Sequence, residues 1–171
     1  KTLNALTMNM IEKIRANFTK WISASDVRAI IIKGAGDRAF CAGGDVRAVR
    51  QSIIDHKGAE NPKLVQDFFY EEYLLNHQIY TSKKPYIALI DRLCMGGGVG
   101  LSVHGNFRIV TERSLIGMPE TTIGFFPDVG GSWFLSRLPG EMGTYLALTG
   151  QPVNASDCFS LGIATHLVAS S

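Results

Sequence analysis

An α/β fold is predicted by three features of the sequence: β-branched runs that read as buried strands, amphipathic stretches between them, and glycine-rich turns where strand passes to helix. The first helix starts after Thr7, whose hydroxyl is a good N-cap. Ile11, Ile14, Phe18, Trp21 and Ile22 then recur on one helical face. Residues 27–33, with Ile30, Ile31 and Ile32 in a row, predict a buried strand. Phe40-Cys41-Ala42-Gly43-Gly44-Asp45 is a glycine-rich loop leading into a short helix, and residues 55–62 read as a mobile polar surface loop.

Residues 63–82 predict a second amphipathic helix, with Leu64, Phe68, Leu75 and Ile79 inward and Pro85 ending it. A buried strand follows over 86–90. Met95-Gly96-Gly97-Gly98-Val99-Gly100 then opens a helix of small residues. Strands are expected over 107–111, 115–118 and 163–168, and helices over 130–138, 141–148 and 157–161. Periodicity goes no further than α/β; a Rossmann-like sheet fits it as well as other designs do.

Composition narrows the class. With 46% hydrophobic and 19% charged residues, the 171-residue chain has enough apolar side chains for a core, and we expect one domain over 1–171. A net charge of +2 gives no reason to expect nucleic acid. Cys41, Cys94 and Cys158 are odd in number and lack C-x-x-C spacing, so neither a disulfide framework nor a zinc site is indicated, and a reducing compartment is expected. No apolar run reaches membrane-spanning length, and no signal or transit peptide is visible. The abrupt start at Lys1 and the end at Ser171 suggest a piece of a longer protein.

Three segments carry candidate chemistry. Ala42-Gly43-Gly44-Asp45 and Gly96-Gly97-Gly98 each stand at a helix start, where backbone N–H groups lack intrahelical partners. Two such amides converging on one point form an oxyanion hole, although each loop alone is equally a tight turn. In the third segment, Glu120 and Asp128 stand eight residues apart in the apolar run from Met118 to Gly131. Carboxylates there are costly to bury unless paired or functional, but Asp128 also suits a helix cap. Neither glycine loop fits a dinucleotide or phosphate-loop pattern. His56, His77, His104 and His166 have no nucleophile or metal partner in any motif and read as structural or surface residues; Ser102 and Ser132 lack a nucleophile elbow.

The order Asn4-Ala5-Leu6, Phe40 to Asp45, Met95 to Gly98, Pro119-Glu120 and Gly130-Gly131 resembles the enoyl-CoA hydratase/isomerase (crotonase) superfamily over nearly the whole chain. The resemblance implies a spiral of ββα turns, here short of a first strand and of a C-terminal helical part, and an acyl-CoA substrate. Gly44 and Gly97 would be the oxyanion-hole donors, and Cys41, Ala42 and Gly43 would run beside the CoA. GGGVGLSVHG, MPETTIGFFPDVGG, LALTG and GIATHLV are most similar to the 3-hydroxyisobutyryl-CoA hydrolase branch, which implies thioester hydrolysis in valine breakdown. Gly100 stands where a hydratase carries its first glutamate, Glu120 matches the second, Asp128 replaces a glycine, and Glu72 matches a further substrate-contacting glutamate. No metal or cofactor is implied, since coenzyme A is part of the substrate. The implied location is the mitochondrial matrix in a eukaryote or the cytoplasm in a bacterium, with a homo-oligomer as a possible assembly. Two rivals stand beside this reading: a hydratase or isomerase, and a non-enzymatic component of the mitochondrial ribosome's small subunit.

Overall fold

The computed structural model describes residues 3–56 and 62–170; residues 57–61, most of the expected surface loop, lie outside the described residues. Helix α1 (Met8–Ser23) begins where Thr7 accepts the Met10 N–H, as expected of a cap. It buries Ile11 and Phe18, but its apolar stripe is narrower than the sequence suggests: Trp21 and Ile22 are 41% and 38% exposed. Trp21 opens on a groove beside β1 (Ile30–Lys33), an edge strand. That strand is four residues long, and only one face of it is covered. Ile30 is buried while Ile31 is 60% exposed, which corrects the expectation of a run buried on both faces.

The strands that follow are β2 (Ala39–Cys41), β3 (Tyr86–Ile90), β4 (Leu93–Met95), β5 (Phe107–Thr111), β6 (Leu115–Gly117), β7 (Val153–Asn154) and β8 (His166–Val168). They form two sheets, in the orders β1-β3-β5-β8 and β2-β4-β6-β7. All pairings are parallel except β6 with β7. From β1 to β6 successive strands alternate between the sheets. Each pair is followed by helical chain: α2 (Val46–Asp55) and α3 (Lys63–Tyr80), then α4 (Gly97–Val103), then a 3₁₀ turn over Pro119–Ile123 with α5 (Gly131–Leu135) and α6 (Met142–Thr149). This is the expected ββα spiral. Helix α7 (Ala155–Ser160) leads to β8.

The core lies where the covered faces of both sheets meet the helices. Tyr86, Ala88, Ile90 and Val110 come from the first sheet, Cys94 and Ile116 from the second, and Leu75, Ile79, Val99 and Leu101 from α3 and α4. Each fully buried aliphatic side chain of this kind contributes roughly 1.5–3 kcal/mol. All three cysteines are free and buried within it.

Candidate active site

Parallel strands end on the same side of a sheet, so neighbours β2 and β4 deliver their following residues to one place. After β2, Gly44 is held by a bridge to Leu6: Leu6 N–H donates to the Gly43 carbonyl at 2.8 Å, and Asp45 N–H donates to the Leu6 carbonyl at 2.8 Å. Asp45 then caps α2 by accepting the Ala48 N–H. After β4, Gly96 anchors its N–H on the Gly117 carbonyl at 3.0 Å, and Gly97 begins α4. A Cβ on Gly97 would lie 3.1 Å from the Gly44 nitrogen and would collide with Oε1 of Glu72. Only glycine permits so close an approach. Among the described residues, neither Gly44 nor Gly97 donates its N–H to a backbone carbonyl.

Three carboxyl groups line the same cavity as this pair of amides. Glu72 projects from α3 and is 2% exposed; Glu120 sits in the 3₁₀ turn after β6 and is 8% exposed; Asp128 is half-buried. Burial pushes Glu72 up to about 8, with repulsion from Asp128 and Glu120 adding to it. Burial likewise raises Glu120 to about 7, against the pull of its own backbone N–H and with some repulsion from Asp128. Asp128 is raised by burial, opposed by a hydrogen bond from Tyr73. Oε1 of Glu72 and Oε2 of Glu120 are buried without a hydrogen-bond partner. Burial raises all three carboxyls, so near neutral pH one group can serve as a base while another keeps its proton.

A cavity of about 520 Å³ gathers Ala42, Gly43, Gly44, Gly97, Glu72, Glu120 and Asp128. Of the residues singled out in the sequence, Cys41 is not on its wall. The Cys41 side chain is 2% exposed, faces the groove beside α1 and β1, and has its thiol pushed up to about 11 by burial. The alternative reading of Asp128 as a cap is overturned: Gly130 is the N-cap of α5, and Asp128 instead accepts the Tyr73 O–H at 2.7 Å.

Two residues that hold Asp128 were not identified from the sequence. Tyr73 was one, although it lies next to Glu72 in Glu71-Glu72-Tyr73. The other is His104, read from the sequence only as a structural or surface residue: its Nε2–H donates to the Val129 carbonyl at 2.7 Å. Val129 has φ +42°, a strained value for a β-branched residue. The imidazole, packed also against Gly130, keeps that turn in place behind Asp128. No sequence spacing links position 104 to position 129.

Two neighbouring glycine amides on the wall of a cavity that also holds carboxyls with raised pKa values can polarise a carbonyl and move a proton or attack it. Solved structures share this architecture. A carnitinyl-CoA dehydratase from Mycobacterium thermoresistibile aligns with TM-score 0.92 and 42% identity, covering 98% of this chain and 48% of that one. An enoyl-CoA hydratase from Rhodobacter sphaeroides 2.4.1 aligns with TM-score 0.88 and 41% identity, covering 98% and 49%. Among curated proteins, the mitochondrial 3-hydroxyisobutyryl-CoA hydrolases of Xenopus tropicalis and Homo sapiens are 55% and 52% identical over 170 residues. Those residues are 99% of this chain and 43% of each relative, so the chain spans less than half the length of the curated proteins it matches. The enoyl-CoA hydratase/isomerase family model matches residues 1–171, and the chain belongs to that family.

Proposed function

We propose that the protein hydrolyses acyl-CoA thioesters, with 3-hydroxyisobutyryl-CoA giving 3-hydroxyisobutyrate and free CoA, as a step of valine breakdown. Gly44 and Gly97 N–H groups take the thioester oxygen and stabilise the charge that develops there. Glu120, as carboxylate, either attacks the carbonyl carbon or takes a proton from the attacking water. In both routes the C–S bond breaks, the CoA sulfur leaves and picks up a proton, and water supplies the hydroxyl of the acid. Glu72, protonated more readily than Glu120, donates a hydrogen bond to the bound acyl group, and Asp128 contacts its hydroxyl. Named mitochondrial relatives support a mitochondrial, and by our reading matrix, location.

The observation that carries hydrolysis over hydration is Gly100. A Cβ there would lie 2.6 Å from Cβ of Val129 and 3.0 Å from Nδ2 of Asn76, so the first carboxylate of a two-glutamate hydratase, the partner of the one matched by Glu120, has no room. The test is thiol release and enoyl absorbance measured with 3-hydroxyisobutyryl-CoA and crotonyl-CoA on the full-length protein. We expect thiol release from the former and no hydration of the latter. Glu120→Gln is expected to lower kcat on the order of a thousandfold with CoA binding retained. Efficient hydration of crotonyl-CoA without thiol release would overturn the reading, and an unchanged rate in Glu120→Gln would remove Glu120 from it.

A further inference from the structure

A second cavity, of about 570 Å³, lies between α3 and residues 126–133 and shares Asp128 with the first. Its walls include the aromatic rings of Tyr80, Phe126 and Trp133. One buried lining group has no hydrogen-bond partner among the described residues: the carboxamide of Asn76, 6% exposed, with both Oδ1 and Nδ2 buried. Burying an amide unpaired is costly, so a group of this kind in a folded protein points to a bond made with something else.

The position of Asn76 says with what. It follows Glu72 by one helical turn on α3, and the two side chains pack against successive turns of α4: Glu72 against Gly97, Asn76 against Gly100. On the acyl-CoA reading above, Gly97 and the Glu72 beside it mark the place of the thioester carbonyl, and Asn76 lies about 6 Å further along the helix, by the rise of four residues. A hydroxyl two carbons beyond the carbonyl, with the length of one hydrogen bond added, spans that distance. Asp128, on the same cavity wall, completes the pair. A hydroxyl carries one donor and two acceptor sites, so its O–H suits the Asp128 carboxylate and its oxygen suits the Asn76 N–H.

We propose that Asn76 is a specificity-determining residue that binds the hydroxyl on the third carbon of the acyl group and so selects 3-hydroxyacyl thioesters over their deoxy counterparts. This rests on the acyl-CoA reading above. A site built to bond a hydroxyl rejects the analogue that lacks it, because its own polar groups are then left unpaired.

The experiment compares the full-length wild type with Asn76→Ala and Asn76→Leu on 3-hydroxyisobutyryl-CoA and isobutyryl-CoA, by kcat/KM and by calorimetric binding of non-hydrolysable thioether analogues of both. Wild type should prefer the hydroxylated ligand. Either substitution should cut kcat/KM for it by about 10- to 100-fold while changing the deoxy substrate less than about threefold. An equal fall on both substrates, or an unchanged preference, would overturn the proposal, as would a wild type that does not discriminate. Should no thioester be cleaved, the hydrolase reading falls, and the binding preference and its loss in Asn76→Ala still decide the role of Asn76.

Discussion

Glu72 is a carboxyl group held away from water beside two others, and the cost of its charge is a statement about stability. Its ordinary value is 4.5 and its folded value about 8, so between those limits the folded chain binds a proton that the unfolded chain has released. Stability from this group is complete below about pH 4.5 and is lost as pH rises through 8. The slope reaches about 1.4 kcal/mol per pH unit for one such group. Glu72→Gln should therefore lose less thermal stability than wild type between pH 5 and pH 8.5 in a melting series, and parallel curves would show that Glu72 is not the titrating group. Glu120 has the same sign, and its effect on catalysis is opposite. In the hydrolysis proposed above it acts as carboxylate, so the rate should rise with pH through about 7.

At the scale of elements, the contact of α3 with α4 decides both the site and its chemistry. Gly97 lets the Glu72 carboxyl and the Gly44 amide meet, and Gly100 admits Val129 and Asn76. Gly97→Ala should lower turnover at least about a hundredfold, the cost typical of a disturbed oxyanion donor. Gly36 is the contrast: it has φ +75° in the connection from β1 to β2 and open space around it. Gly36→Ala should cost about 1–2 kcal/mol in urea unfolding, from the left-handed backbone alone, with activity unchanged. Equal activity losses in the two variants would mean that Gly97 acts only through folding.

At the scale of the whole molecule, one face of the first sheet is core and the other is bare. Ile90 is 1% exposed and Ile31 60%. Ile90→Ala should cost about 2–5 kcal/mol in urea unfolding, as large-to-small core substitutions do, and Ile31→Ala less than about 0.5 kcal/mol. A comparable cost at Ile31 would show that its face is covered in solution.

Sequence patterns were enough for the long elements. Thr7 marked the start of α1, Pro85 lay just past the end of α3, and the β-branched and apolar runs marked β1, β3 and β5. They were not enough for β2, β4 and β7, which have three residues or fewer and no period to read, although β6 and β8, equally short, lie within stretches expected to be strands. Those strands are three of the four in the second sheet, so only β6 of that sheet was read from the sequence and the sheet itself only through the family resemblance.

By itself, then, the sequence determined the residue types that can serve: glycines at two helix starts, acids in an apolar stretch, and the motif order that names the family. Tertiary structure alone decided which of them meet. Residues 44, 72, 97, 120 and 128 come from turns and helices far apart in the chain, and only the side-by-side ends of parallel strands gather them around one cavity. Burial, which lifts the acids toward neutral pH, and the neighbours that shut a side chain out of position 100, are properties of that packing and appear in no local pattern.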